Sequence, residues 1–334
     1  MVRTALALAS LTGLPATVFN IRAGRDAPGL KPQHLLGARA AANITGGLLK
    51  GAEPGSMRLE YLPGRLRPGR YSFDVGTAGS AALVFQTVLP ALLFAGGPSS
   101  ISIRGGTHVP WSPVPEYLEG VFFRAVRPMG VEVSLRTLSR GYYPAGGGSM
   151  EADIKTAGKP LAPLSISERG SLKVIKVLSA VSNLPLSIAE RQLESSMSVL
   201  HDFSSIIEAD ALEAPSAGRG TSVFILAEFE NVSAGFVSLG ARGKRAEAVG
   251  IEAAEDFLRY VKRRGALDRH LSDQVVLYAA LADGTSLFTA SEITTHLLTN
   301  IHVIGKFLPA RFHVEGGLGG EGSVRVEGAP FIRS

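Results

Sequence analysis

Apolar residues along this chain follow two periods, and each period predicts a different element. Ile293, Leu297, Ile301, Ile304 and Leu308 step at four, four, three and four residues, which is one face of a helix. Thr289 with Glu292 reads as a capping box that opens this helix, setting His296 about two turns inside it. Elsewhere apolar and polar residues alternate, as in "RYSFDV" (70–75), "SISIR" (100–104), "VEVSLRTL" (131–138) and "SMEADI" (149–154), and these read as strands. Helical spacing over 81–94 and 115–129 falls between them. The order from residue 70 to 154 is therefore β-α-β-α-β-β.

The same order recurs. "NIRAG" at 20–24 and "SIRGG" at 102–106 echo one another at a spacing of 82 residues. Helix 2–12, strand "TVFNI" (17–21), helix 33–45 and two short strands before Gly64 make a first unit that has no opening strand. A third unit emerges when 172–263 is set aside: strand "PLSISER" (163–169), helix "DQVVLYAALA" (273–282), strand "SLFTA" (286–290), the His296 helix, and strands "RFHVE" and "SVRVE". Residues 172–263 hold strand "KVIKVLSAV", helix 185–203, strand "SVFILAEFE" (222–230) and helix 245–263. The predicted fold is α/β (α+β): three repeated β-α-β-α-β-β modules with a smaller inserted α/β domain. Residues 1–171 and 264–334 form the large domain, and 172–263 the insert.

Composition narrows the chemistry. Across 334 residues the hydrophobic share is 45% and the charged share 19%, which describes a folded globular chain. With no cysteine, disulfides, thiolate metal sites and cysteine nucleophiles are excluded, which fits a reducing compartment. A net charge of +5 admits a polyanionic partner, although the basic residues are scattered. "MVRTALALASLTGLPATVF" has the outline of a signal peptide, but Thr12, Gly13 and Pro15 break its apolar run. No apolar run has the length of a membrane span, so no membrane partner and a cytoplasmic location are expected.

Within the repeat, one loop stands out in each unit. "GTAGS" (76–80) and "HLSDQ" (270–274) lie between an opening strand and the first helix, where helix starts attract phosphate. His296, beside Thr299 and Asn300, is by spacing alone either a packed histidine or a chemical group. His302 lies six residues on and faces another way, so the pair lacks metal-ligand spacing. "GRGTS" (218–222) leads into a strand and lacks the lysine of a P-loop, and "ARGKR" (241–245) reads as a solvated charge run.

Seven segments in order, "RTALALASLTG", "NIRAGRDAPGLKPQHL", "FQTVLPALLFA", "RGGTHVPWSP", "GYYPAGGG", "HLSDQ" and "THLLTNIHVI", resemble the signature segments of the RNA 3′-terminal phosphate cyclases. The resemblance spans nearly the whole chain. It implies three modules of the type seen at the C-terminus of a bacterial initiation factor, with a smaller domain inserted. The implied activity is ATP-dependent conversion of an RNA 3′-phosphate to a 2′,3′-cyclic phosphate, with ATP and a divalent cation (Mg or Mn) required.

By this resemblance His296 is the nucleophile that carries AMP. Gln86, His270, Leu271, Ser272, Asp273, Gln274 and Pro113 match ATP-contacting positions, and Arg3, Arg22 and Arg25 match basic positions that receive the RNA 3′-phosphate. Metal ligands and oligomeric state are left unassigned. Two alternatives stay open: a non-catalytic cyclase-like protein acting in ribosomal RNA processing, which lacks the histidine, and an enolpyruvyl transferase built from similar modules. The family also carries a strand and a Glu-Gly-Gly-Gly-Gln segment just before the residues matching "MVRTALAL". This sequence starts after both, so weakened stability and activity are expected of it, restored by extension upstream.

Overall fold

The computed structural model describes residues 1–331, arranged as helices over four separate sheets. Among the described residues no helix is long and apolar enough to cross a membrane. Val2–Thr12 is a helix that ends at Gly13, whose left-handed φ of 75° lets its N–H reach back to Ala9 O. Leu6, Leu8 and Leu11 are buried along it, so the stretch with a signal-peptide outline is a core element. It covers a three-stranded antiparallel sheet ordered Ala16–Val18, Leu59–Leu62, Leu48–Lys50.

Two four-stranded sheets follow one pattern. In the first, Arg70–Asp74 runs parallel to Ser99–Gly105, which pairs antiparallel with Gly148–Ile154 and through it with Val133–Ser139. In the second, Ser165–Ile166 runs parallel to Thr285–Ala290, then Gly322–Glu327 and Arg311–Glu315 add antiparallel. The expected strand 163–169 is thus only two residues long, because only Leu287 and Phe288 pair with it. The expected helix 115–129 is broken into an α turn at Pro115–Tyr117, a π turn at Leu118–Phe122, an α turn at Phe123–Val126 and a 3₁₀ turn at Arg127–Met129. Pro128 supplies no N–H, so a regular ladder cannot run to the end.

The fourth sheet lies wholly within 172–263, in the order Ile207–Glu213, Leu172–Ser182, Gly220–Phe229, Ser233–Leu239. Its first and last strands were not expected. Helices Leu186–Val199 and Ala246–Val261 pack side by side on it. They approach so closely at Gly250 that a Cβ there would lie 2.1 Å from Gln192 O.

One contiguous hydrophobic core joins this sheet to the rest, taking in Phe85, Phe122, Phe224, Phe257 and Val276. Each such fully buried side chain contributes about 1.5–3 kcal/mol. At the junction, Arg169 donates to Gly265 O at 3.0 Å and to Arg263 O, and its guanidinium sits 3.9 Å from the Tyr260 ring centre.

Candidate active site

Three helices begin at a cavity of ≈ 520 Å³. Val2–Thr12 brings Arg3 and Thr4, Leu271–Ala280 brings Asp273 and Gln274 with His270 at its cap, and Thr295–Ile304 brings His296 and Asn300. Gln86 enters from the helix Ala81–Leu93, and Trp111 and Pro113 from the loop before Pro115. Phe236, Tyr260, Arg259 and Arg263 of the 172–263 segment close another side.

The histidine helix starts later than its sequence suggests. Thr289 lies in the strand Thr285–Ala290, where its hydroxyl donates to Ser167 O and accepts from Ala266 N–H. The true cap is Thr294, whose Oγ1 accepts from Leu297 N–H at 2.9 Å. His296 is therefore in the first turn, not two turns inside, and the positive end of the helix lies beside it. The main-chain N–H groups of Thr295 and His296 have no partner among the described residues. They are available to an anion.

The His296 side chain is exposed and its ring makes no hydrogen bond among the described residues. Loss of hydration pushes its imidazole down from the usual value, and the charges of Arg3 and Arg25 add to that. A neutral ring keeps a free lone pair at neutral pH. His302 is exposed in the last turn of the same helix and is not part of the cavity.

Two hydrogen-bond chains hold the three helices together. In one, Arg3 Nη1 donates to Gln86 Oε1 at 2.6 Å, Gln86 Nε2 to Gln274 Oε1 at 2.6 Å, and Gln274 Nε2 to His270 O at 3.1 Å. In the other, Thr4 Oγ1 donates to Asn300 Oδ1 at 2.7 Å and Asn300 Nδ2 to Asp273 O at 2.9 Å. Asn300, puzzling on an apolar helix, is thus the bridge between the histidine helix and the two beside it.

Thr294 Oγ1 also donates to Asp273 Oδ1 at 2.5 Å. Burial drives the Asp273 carboxyl up to about 7, against that hydrogen bond and with help from the nearby Asp268 charge. Asp268 itself is 2% exposed and fully engaged. It accepts from Tyr117 Oη and from the N–H groups of His270 and Leu271, and so fixes the start of the 271–280 helix. Arg269 Nε donates to His270 Nε2 at 3.2 Å, and burial lowers the affinity of the His270 ring for a proton.

Of the residues singled out in the sequence, His296, Gln86, Pro113, His270, Asp273, Gln274 and Arg3 share this cavity. Leu271 and Ser272 do not line it, because "HLSDQ" is no loop but the first turn of a helix, with both side chains packed inward. Arg22 turns back onto the carbonyls of Ala27 and Gly29, at 2.6 and 3.4 Å. Arg25 is exposed outside the lining. Thr4, Tyr117, Asp268, Thr294 and Asn300 went unassigned in the sequence; only the Asp three residues ahead of Leu271 and the Thr ahead of "THLLTN" carried a local signal, that of a cap.

The family model for RNA 3′-terminal phosphate cyclase matches residues 1–314. Proteins bearing that name align over almost the whole length. One from Staphylothermus marinus is 40% identical over 336 residues, covering 98% of this chain and 94% of the relative. One from Methylococcus capsulatus is 42% identical over 339 residues, covering 99% and 93%. One from Pyrococcus furiosus is 39% identical over 326 residues, covering 98% and 94%. A solved EPSP synthase from Acinetobacter baumannii overlaps 98% of this chain and 63% of its own at a TM-score of 0.34 and 13% identity, too slight a likeness to bear on fold or function. On the family match and these full-length relatives, the chain belongs to the RNA 3′-terminal phosphate cyclase family.

Proposed function

We propose that this chain converts an RNA 3′-terminal phosphate to a 2′,3′-cyclic phosphate at the expense of ATP, with His296 carrying AMP between steps. A ring nitrogen of His296 attacks the α-phosphorus of ATP, the bond to the β-phosphate oxygen breaks, and pyrophosphate leaves. An oxygen of the RNA 3′-phosphate then takes the AMP from the histidine. Finally the adjacent 2′-hydroxyl attacks the activated terminal phosphorus, AMP departs, and the hydroxyl proton is lost to solvent. Activation supplies the leaving group that a phosphomonoester lacks, and closure of the ring gains from proximity.

The observation that carries this reading is the setting of His296: a ring held neutral in the first turn of a helix whose start has two uncommitted N–H groups. The same feature favours a nucleophile and an incoming phosphate. Gln86, Asp273, Gln274, His270 and Pro113 are the proposed contacts for ATP, and Arg3, with Arg22 and Arg25 from outside the lining, for the RNA phosphate.

A divalent cation fits this site poorly as a protein-bound ion. Among the described residues no group of three or more His, Asp or Glu can hold a metal, and the Asp268 carboxylate is already engaged. Mg²⁺ or Mn²⁺ would arrive on the ATP phosphates.

The shared strand order of two of the four-stranded sheets supports reading 1–171 and 264–334 together as one large domain of related modules, with 172–263 as an inserted domain. Incubation with radiolabelled ATP and Mg²⁺ tests the mechanism. Covalent AMP labelling, labile to acid and stable to mild base, is expected for the natural chain and absent from His296→Ala. Unchanged labelling of the variant would remove His296 from the mechanism. No labelling of the natural chain would favour a non-catalytic role in ribosomal RNA processing.

A further inference from the structure

Trp111 is the chain's single tryptophan, it is 97% exposed, and it lines the cavity that contains His296. Its indole makes no hydrogen bond and no ring contact among the described residues. Its backbone sits at φ 60°, a left-handed conformation that a bulky L-residue adopts only when its surroundings impose it.

The surroundings do impose it. The N–H groups of Thr107 and His108 both donate to Gly141 O, at 3.0 and 2.9 Å, and Val109 and Val114 are buried on either side of the turn. Ser112 Oγ is hydrogen-bonded to the hydroxyl of Ser80, the cap of the Ala81–Leu93 helix. Pro110 and Pro113 restrict the backbone around the ring. A loop pinned at both ends thus holds a large apolar ring out in water, where burial against its own surface would be the favourable state.

A planar, π-rich ligand suits such a ring. Arg269, in the same cavity, is bonded to His270 and among the described residues has no carboxylate partner, nor has the exposed Arg25. Both are free for backbone phosphates. Of these two cavity-lining residues Pro113 is half-buried and Trp111 is 97% exposed, so the ring suits the part of a ligand that leaves the cavity. A nucleotide buried in the cavity does not leave it; an RNA strand must. We propose that Trp111 is a stacking platform for one of the last nucleobases of the RNA strand whose 3′-phosphate enters the cavity, which rests on the cyclase reading above.

Because Trp111 is unique, its fluorescence reports on its own contacts. Titrating the full chain with a single-stranded RNA ending in a 3′-phosphate should quench the emission to saturation. The same RNA made abasic at its last two positions should quench it little, and ATP alone should not. Trp111→Ala should raise the KM for this RNA about 5- to 150-fold, the range alanine substitution gives at stacked bases, and Trp111→Phe should recover most of the loss. Melting curves of both variants report whether the loop has kept its fold.

Quenching by ATP rather than RNA, or an equal loss of AMP labelling in Trp111→Ala, would assign the ring to adenine and overturn the proposal. So would an unquenched titration, or an unchanged KM in a folded Trp111→Ala chain. Failure of the cyclase reading shows separately, as natural protein that neither labels with AMP nor cyclises RNA, while the fluorescence titration still decides the stacking.

Discussion

Thr294→Val keeps the shape of the side chain and removes the hydroxyl on which the histidine helix begins. That hydroxyl accepts from Leu297 N–H at 2.9 Å and donates to Asp273 Oδ1 at 2.5 Å. Loss of a threonine cap costs about 1 kcal/mol, and loss of a hydrogen bond to a buried carboxyl about 1–2 kcal/mol more. The sum, ~2–3 kcal/mol, corresponds to a fall in Tm of roughly 5–10 °C at about 2–4 °C per kcal/mol for a large domain. The site should suffer beyond the stability loss. Fraying of the first turn releases His296, and Asp273 loses the one hydrogen bond that holds its carboxyl down, so it rises above about 7. AMP labelling should slow even well below the melting range, and Thr294→Ser, which keeps both bonds, should restore rate and Tm together. Equal Tm and equal labelling in the valine and serine variants would refute the claim that this cap positions His296.

Asp273→Asn should separate the carboxyl's charge from its shape. The folded-state value of about 7 exceeds the usual 3.8, so the folded protein holds a proton that the unfolded chain has released, and stability falls as pH rises from about 4 to 7. Above that window the asparagine variant should be the more stable by on the order of 2–4 kcal/mol, read from denaturation at pH 5 and pH 8; parallel curves would sink the assignment. Tyr61→Phe probes the first helix, since the Tyr61 hydroxyl meets Ser10 and Thr45 at 2.8 Å and donates to Ala41 O at 2.9 Å, all in the buried layer between helix and sheet. A loss of about 1–2 kcal/mol is expected in chemical denaturation, and none would show the network to be incidental.

Residues that pack by period were readable in the sequence; residues that answer to a distant partner were not. The helices over 2–12 and 81–94 and the strands around 100–104 and 149–154 appear close to where the periodicity put them. The capping box failed for a physical reason. Thr289 and Glu292 have the right spacing, but "SLFTA" pairs with residues 322–327 and 165–166, and a residue committed to a sheet cannot also cap a helix. Five residues on, Thr294 took the role, and His296 moved from the second turn to the first. Ser233–Leu239 escaped because most of it is buried on both faces, so its apolar residues do not alternate with polar ones. Ile207–Glu213, at the sheet edge, reads locally as helix-forming, and pairing with Leu172–Ser182 overrides that.

The site divides along the same line. The local pattern singled out His296 beside Thr299 and Asn300, and the family resemblance singled out Gln86, Asp273 and Gln274, but neither said whom they face. Gln86 and Gln274 lie 188 residues apart and hydrogen-bond each other, and Thr4 reaches Asn300 across 296 residues. Each pair joins half-buried polar groups on helices far apart in sequence, so neither member can be interpreted alone. The same holds for the division at residues 172 and 263. The strands within 172–263 make a sheet of their own, yet Phe236 and Tyr260 on one side and Tyr117 and Tyr278 on the other line a single cavity. A cut chosen for the strands therefore passes through the chemistry, because helix starts and cavity walls are set by how the sheets pack and not by where the chain crosses between them.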